Sequence, residues 1–340
     1  MSKVLSFGEL LLRICPDSGG SWLEENSLPV YVGGAEANVA AALALWEVPS
    51  AYMTAIPDNF IARQLVGYLD ALNVDTSAIQ YSGERIGLYF LDKGKDLKNA
   101  GVIYDRKYSS FSELETGTIN WDQVFEGVSW FHFSAICPAI NQSVADVCEE
   151  ALREASARNI FISIDLNFRA KLWKFGKEPV EVLPALVEYC DLVMGNVWAA
   201  EKMLGIPVSE TLVEEHAKPA YLKQSEISSK EIMAKFPKCK AVANTFRFDY
   251  LTTGIQYYTT LYTEDNLFVS TEYVAEQIAG KVGSGDCFMA GLIYGFYNEL
   301  GPQEIVNFAT SAAFAKLFTE SDFNTTKLEE IKNIVQQYEK

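Results

Sequence analysis

The chain alternates between short apolar strands and helices along much of its length, and this alternation restricts the folds that it can adopt. A strand-like run from Val4 to Glu9 is followed by an alanine-rich helical run from Ala35 to Trp46 and a second strand from Ala51 to Ala55. The same order recurs in predicted helices at 61–72, 143–157 and 180–189 and in predicted strands at 130–134, 160–166 and 192–194. We therefore predict an α/β fold in three layers, α/β/α, with a mostly parallel central sheet.

Two stretches, at about 15–32 and 84–108, interrupt the alternation. The first carries prolines and glycines between short extended pieces, and the second contains strand-like runs from Gly87 to Leu91 and from Val102 to Tyr104. The segment Lys93-Gly94-Lys95 between those runs is typical of a hairpin. Strands inserted into an otherwise alternating chain predict a small β-sheet lid, not a second independent domain.

The composition restricts the class of protein and its partners. With 49% apolar and 21% charged residues, the chain is typical of a soluble globular protein, and we treat residues 1–340 as one domain. The net charge of −17 argues against nucleic acid or an anionic membrane as a partner, since both attract basic patches. No apolar run of about 18 residues and no leader segment is recognised. The six cysteines are scattered without a CxxC pair. This pattern predicts free thiols, not disulfides or a zinc site, and a cytoplasmic location.

The segment with the most chemical information is Gly283-Ser284-Gly285-Asp286, which opens a strongly apolar helical pattern. Unpaired amides and the dipole at a helix N-terminus favour an anion there. A carboxylate beside such a site can orient or deprotonate a hydroxyl that accepts a phosphoryl group. The simpler alternative is a capped helix with a tight glycine turn, because aspartate is favoured at helix starts.

A second glycine pair, Gly33-Gly34, opens the helix that carries Asn38. Taken alone, this pair is equally well explained by close packing of a helix on a sheet. A dinucleotide fingerprint is disfavoured because Phe288 stands where its third glycine belongs, and neither a GxxxxGK[ST] loop nor the protein-kinase HRD and DFG motifs occur.

Together, the two glycine segments resemble the signatures of the pfkB/ribokinase family of carbohydrate kinases, in the same order and over nearly the whole chain. The resemblance implies a ribokinase-like fold, ATP as phosphoryl donor, Mg²⁺, and a monovalent cation as a possible further cofactor. It implies that Asp286 is the base and that the amides of Gly283, Ser284 and Gly285 form an anion hole. Gly34 and Asn38 would lie on the sugar side.

A narrower resemblance, to 2-keto-3-deoxygluconate kinases, rests on the segments 85–90, 102–106 and 165–173. It implies that Tyr89, Tyr104, Arg106 and Arg169 hold an acid sugar. Guanidinium groups suit this role because they can bind a carboxylate through two parallel hydrogen bonds. The alternatives are a solvated lid charge for Arg106 and, for Arg169, a structural salt bridge or a contact with the ATP phosphates.

One further segment bears on the substrate. Asp322 lies in a segment resembling a C-terminal loop that contacts the sugar in these kinases, although an aspartate that only caps a loop is equally compatible.

On the nucleotide side, the resemblance implies ATP contacts from Asn167, Asn196, Thr245, Arg247, Gly283 and Gly285. Thr245 and Arg247 would follow a strand at 241–243, with adenine between the loop after Tyr250 and a helix at 308–316. Asn196 resembles the asparagine of an N-x-x-E motif that orders magnesium and water.

The glutamate of that N-x-x-E motif is replaced by Ala199. Glu201 cannot simply substitute, because two residues along a helix rotate a side chain by about 200°. No metal ligand is therefore assigned.

The two histidines carry no predicted chemistry. His132 lies in an apolar strand and is expected in the core, and His216 lies in the polar stretch 207–231, which is expected at the surface.

The sequence thus predicts an ATP-dependent kinase that phosphorylates 2-keto-3-deoxygluconate at its terminal hydroxyl. Exposed lid edges predict a homodimer or larger homo-oligomer. Two alternatives remain, namely a kinase for another sugar such as fructose, and a catalytically silent sugar- or nucleotide-binding protein. Ala199 favours the silent protein, whereas the retained Asp286 argues against it.

Overall fold

A computed structural model describes residues 2–16, 22–23, 27–91, 101–212 and 217–338. Within these residues the main sheet has nine strands. They are β1 (Lys3–Phe7), β4 (Ser50–Met53), β9 (Val128–Ser134), β10 (Phe161–Asp165), β11 (Leu192–Gly195), β12 (Ala241–Tyr250), β13 (Gly254–Thr263), β14 (Asn266–Val269) and β15 (Tyr273–Ala275).

The strand order of this sheet is β14-β13-β12-β11-β10-β9-β1-β4, and β15 also pairs with β13. The six strands from β12 to β4 are parallel to one another. The strand β13 runs antiparallel to its neighbours β12, β14 and β15. The predicted mostly parallel sheet is confirmed, with an antiparallel extension at one edge that the sequence had not indicated.

Two large clusters of buried apolar residues form the core of the protein. One contains Ile162 and Ile164, and the other contains Leu192 and Leu292. Because the parallel strands β1, β10 and β11 are buried along nearly their whole length, the sheet needs helices over both faces. The helices are α1 (Ala35–Leu45), α2 (Phe60–Ala71), α3 (Trp121–Val124), α4 (Gln142–Ala157), α5 (Pro179–Val187), α6 (Val197–Leu204), α7 (Lys218–Lys235), α8 (Ser284–Tyr297), α9 (Pro302–Lys316) and α10 (Leu328–Tyr338).

A separate four-stranded sheet forms the lid. Its strands are β2 (Leu11–Ile14), β3 (Val30–Gly33), β7 (Gly87–Leu91) and β8 (Val102–Asp105), in the order β3-β2-β7-β8. The predicted pairing of β7 with β8 is antiparallel, as expected for a hairpin. The lid begins at Leu11, earlier than the predicted 15–32 segment, and its predicted turn at 93–95 lies outside the described residues. A short pair, β5 (Ala55–Ile56) and β6 (Gln80–Tyr81), completes the strands.

The strand β12 corrects one prediction. Thr245 and Arg247 do not follow a strand at 241–243, because the strand continues to Tyr250. Alternate residues of a strand face the same side, so Thr245 and Arg247 share one face while Phe246 is buried on the other, against Tyr258.

His132 is a core residue, as predicted. It is 1% exposed, its Nδ1 lies 3.0 Å from Ser163 Oγ, and burial lowers its pKa to about 3. His216 lies outside the described residues. No helix among the described residues is both long and apolar enough to cross a membrane.

Candidate active site

A pocket of about 530 Å³ lies at the carboxyl ends of the parallel strands, below the lid. Asp165 and Gly195, the last residues of β10 and β11, belong to its wall. Open α/β sheets bind ligands at this edge. The pocket is lined by every residue that the sequence singled out: Gly34, Asn38, Tyr89, Tyr104, Arg106, Asn167, Arg169, Asn196, Thr245, Arg247, Gly283, Ser284, Gly285, Asp286 and Asp322.

The glycine turn before α8 has a geometry that other residues would disturb. Gly283 has a left-handed φ of 76°, and a Cβ added there would lie 2.4 Å from the carbonyl oxygen of Asp322. By contrast, a Cβ added at Gly285 meets no described atom within 4 Å. Gly283 is thus required by the protein's own packing, whereas the space beside Gly285 is open to the pocket.

Asp286 lies in the first turn of α8, where the helix amides lack partners within the helix. Its Oδ2 accepts a hydrogen bond of 2.6 Å from Asn38 Nδ2. Removal from water raises the pKa of Asp286 to about 7. The Asn38 hydrogen bond and the Arg169 charge oppose this rise, and the carboxylates of Asp165 and Glu36 add to it. A carboxyl group with this pKa can take up and release a proton near neutral pH.

Helix packing brings Asn38 to Asp286. Asn38 lies in α1, which packs against α8 in the second apolar cluster, through Val39 and Leu43 among others. The helix α8 also packs closely on α9. A Cβ added at Gly291 would lie only 2.5 Å from Ala309 Cα, so the close approach of the two helices requires a glycine there. The position of the carboxylate is therefore fixed by a tightly packed helix layer.

The charge of the pocket is opposite in sign to that of the whole protein. Six lysine or arginine side chains and three aspartates line it, while the chain carries a net charge of −17. An excess of cations in a concave site attracts anionic ligands. The cationic residues are Arg106, Arg169, Lys171, Lys202, Arg247 and Lys281.

On the sugar side, Asp322 is held by the lid. It accepts a hydrogen bond of 2.6 Å from Tyr89 OH and one of 2.7 Å from Arg13 Nε. Arg13 lies in β2 and also donates to the carbonyl of Glu320 at 3.1 Å. Sequence reasoning missed Arg13, and the only signal for it was a cationic residue within an otherwise apolar strand.

Arg106 is buried and is not a solvated lid charge. Only 7% of it is exposed, and its Nε donates to Glu9 Oε2. Because that bond uses Nε, the two terminal nitrogens can serve a second acceptor. Glu9, which sequence reasoning also missed, has one buried oxygen without a partner among the described residues.

Arg169 is half-buried in the pocket wall, and its Nη1 donates to the carbonyl of Phe168 at 3.3 Å. Within the described part of the chain it makes no salt bridge. The structural alternative for Arg169, an ion pair within the protein, therefore finds no support there.

The residues predicted for ATP come from four places: Asn167 follows β10, Asn196 follows β11, Thr245 and Arg247 lie in β12, and Gly283 and Gly285 lie at the start of α8. Arg247 Nη1 is 3.1 Å from Ser284 Oγ, which links the strand to the glycine turn. Asn196 caps α6, since its side-chain oxygen accepts from Ala199 N at 2.9 Å. The cap fixes the orientation of the Asn196 side chain at the start of α6, and its oxygen keeps a second lone pair for another donor. Lys202, further along α6, lines the pocket, whereas Glu201 does not.

Comparison with known proteins identifies relatives along the whole chain. A solved structure of 2-dehydro-3-deoxygluconokinase from Thermotoga maritima is 32% identical and superposes with a TM-score of 0.89, covering 99% of this chain and 100% of that one. A 5-dehydro-2-deoxygluconokinase of Geobacillus thermodenitrificans is 24% identical over 88% of this chain and 84% of its own. The match to a 2-dehydro-3-deoxygalactonokinase of Haloferax volcanii, 27% identical, spans only 51% of this chain and 54% of that protein.

The family itself is identified by a model that matches residues 1–326, that of the pfkB family carbohydrate kinases. This match covers the main sheet, the lid and the glycine turn before α8. The chain belongs to the pfkB family of carbohydrate kinases.

Proposed function

We propose that this protein transfers the terminal phosphoryl group of ATP to the terminal hydroxyl of 2-keto-3-deoxygluconate. The observation that carries the proposal is the placement of Asp286. Its carboxylate, with a pKa raised to about 7, stands beside the amides of the glycine turn in a pocket that also contains Arg106 and Arg169.

The chemistry proceeds in one displacement. The sugar hydroxyl oxygen forms a bond to the γ-phosphorus as the bond to the departing ADP oxygen breaks, and Asp286 takes the hydroxyl proton. The amides of Gly283, Ser284 and Gly285 donate hydrogen bonds to the phosphoryl oxygens, where negative charge is concentrated. Asn38 holds Asp286 in place through one carboxylate oxygen, which leaves the other for the hydroxyl.

The acid group of the sugar is bound by the two arginines on the lid side. Arg106 can use its terminal nitrogens while Glu9 holds Nε, and Arg169 makes no salt bridge with any described residue. Tyr104 and Asp322 complete the sugar side, with Asp322 fixed by Tyr89 and Arg13.

The nucleotide, which would carry magnesium on its phosphates, would bind along β12 and α6. Arg247, Lys202 and Lys281 supply positive charge for its phosphates, and Asn196 can donate through its amide nitrogen. Among the described residues, no cluster of three or more His, Cys, Asp or Glu side chains is placed to bind a metal ion. The metal would therefore be held largely by the phosphates of the nucleotide.

We expect Arg169→Met to lower activity on the acid sugar while leaving activity on a neutral sugar nearly unchanged. Loss of hydrogen bonds to a charged group should lower kcat/KM for 2-keto-3-deoxygluconate by about 10- to 100-fold. For fructose, which has no carboxylate, any low activity should change little. Release of ADP is measured with both sugars, with 2-keto-3-deoxygalactonate, which is the epimer of the proposed substrate, and with 5-keto-2-deoxygluconate.

The matched control is Arg63→Met, which removes an exposed arginine paired with Asp58 and should leave all rates unchanged. An equal loss on acid and neutral sugars in Arg169→Met would assign Arg169 to ATP instead. Turnover of the wild type on fructose but not on any keto-deoxy acid would contradict the proposed substrate. Sugar binding without any turnover would identify a silent binding protein.

Association through the lid is also a proposal. The edge strands β3 and β8 carry Val30 and Ile103, which are 56% and 65% exposed. Apolar side chains on bare sheet edges favour pairing with another subunit. We expect light scattering to give a mass of at least two chains, and Ile103→Lys to lower it, whereas a monomeric wild type would exclude such a dimer.

A further inference from the structure

Lys316 is a buried lysine immediately behind the glycine turn. It is the last residue of α9 and is only 1% exposed. Burial lowers its pKa, while the neighbouring Cys287 thiol and the carboxyl groups of Asp322 and Asp286 oppose that effect. A buried ammonium is costly unless it is hydrogen-bonded and paired, so its presence at this point requires a reason.

The ammonium of Lys316 joins two segments of the active site. It donates to the carbonyl of Val282, the residue before the turn, at 3.0 Å, and lies 3.5 Å from the carbonyl of Thr319. The same two segments are linked through the backbone, because the amides of Ala279 and Gly280 both donate to the carbonyl of Leu317. The stem of Lys316 packs on Gly283, where an added Cβ would lie 3.2 Å from its Cε.

The position of this charge matters for the anion hole. The ammonium is bound to the carbonyl of the peptide that precedes Gly283, and the residues that follow, Gly283, Ser284 and Gly285, line the pocket. A fixed positive charge behind the amides of these residues strengthens their attraction for a phosphoryl group, since the surroundings are screened from water. It also offsets the negative charges of Asp286 and Asp322, which would otherwise repel that group.

We propose that Lys316 is a built-in cation that holds the glycine turn against the loop 317–322 and supplies the positive charge behind the anion hole, in place of a bound monovalent cation. A monovalent ion behind the turn would need carbonyl oxygens as ligands, and the ammonium already takes those of Val282 and Thr319. The residues at this point therefore do not fit such an ion. The inference rests on the proposed kinase function, in which Lys316 is a positioning residue.

The first test needs no variant. Turnover of the wild type is measured in KCl, NaCl and tetramethylammonium chloride at equal ionic strength, with ADP quantified by chromatography because coupling enzymes can themselves respond to cations. We expect rates within about two-fold of one another, since the charge is part of the chain. Strong activation of the wild type by K⁺ would overturn the proposal.

The second test creates a space for an ion. In tetramethylammonium chloride, Lys316→Ala should lower kcat by about 10- to 100-fold with little change in the KM for sugar. K⁺ or methylammonium should restore part of that loss by binding in the vacated space, and should raise the thermal midpoint of this variant but not of the wild type. Lys316→Met, which fills the space without charge, should show the loss without the rescue.

Lys332→Ala is the control, because Lys332 is exposed and pairs with Glu329 on α10. A kcat for Lys316→Met equal to that of Lys332→Ala would overturn the proposal, as would a loss in Lys316→Ala that no cation restores. If the wild type phosphorylates no sugar, the kinase proposal fails. The midpoint of Lys316→Ala in K⁺ against tetramethylammonium then still tests the role of Lys316.

Discussion

Asp286→Asn should lower kcat by about 10² or more while leaving sugar binding nearly unchanged, which is the scale of effect for a positioned acid–base group. The amide has the size of the carboxylate and can still accept from Asn38, so the turn and the anion hole should keep their geometry. It cannot take up the hydroxyl proton. Steady-state rates and the sugar dissociation constant from calorimetry check this expectation.

The same substitution should stabilise the fold at neutral and alkaline pH. The folded-state pKa of Asp286, about 7, lies above the ordinary value of an unfolded aspartate, so the folded protein keeps a proton that the unfolded chain releases. The stability contributed by this group is therefore full at low pH and is lost as pH rises through about 7. Asp286→Asn should be more stable than the wild type at pH 8 by roughly 1–2 kcal/mol, a value reduced for the partial exposure of the pocket.

A stability gain combined with lost turnover would be difficult to explain by general damage. The control is Asp58→Asn, which changes an exposed aspartate paired with Arg63 and should alter neither quantity. Full activity of Asp286→Asn would contradict the proposed mechanism. Lower stability at pH 8 would contradict the raised pKa.

Gly283→Ala and Gly285→Ala should separate the structural requirement for glycine from the catalytic one. At Gly283 the left-handed φ of 76° and the 2.4 Å approach to the Asp322 carbonyl leave no room for a methyl group. The strain and the displaced loop should cost about 2–4 kcal/mol of stability and most of the activity. Thermal unfolding and steady-state kinetics measure the two effects.

Gly285→Ala is the matched variant, with the same methyl group two residues later. Its Cβ meets no described atom within 4 Å and the residue is helical, so stability should be unchanged or higher by about 0.5–1 kcal/mol. The methyl group would nevertheless enter the space of the phosphoryl group, and kcat should fall by about 10-fold or more. Normal kinetics in Gly285→Ala would show that no ligand approaches this amide.

The fold and the site residues were largely predictable because both depend on local sequence patterns. Alternation of strands and helices predicted the parallel sheet, and the two glycine segments identified the helix starts that meet at Asn38 and Asp286. All the residues chosen for chemistry line one pocket, although their individual roles remain proposals. The hairpin of β12 and β13 was missed, because a strand that begins as a buried apolar run continues past Thr245 with alternating polar residues.

Partners that are distant in sequence could not be predicted. Arg13 and Asp322 are 309 residues apart, and Glu9 and Arg106 are 97 apart. No local pattern links the members of either pair, since each contact depends on how the lid sits on the main sheet. Lys316 escaped notice for the same reason: in sequence it is one lysine at the end of a helix, where a cation is ordinary.

The most direct test of the central claim is the pH dependence of kcat/KM for 2-keto-3-deoxygluconate, measured from about pH 5.5 to about pH 9 for the wild type and for Asp286→Asn. In the free enzyme this profile reports the essential base. We predict that the wild-type value falls on the acidic side with a pKa of about 7, and that this fall is absent from the residual activity of Asp286→Asn. The same acidic fall in both proteins would show that another group is the base and would contradict the account.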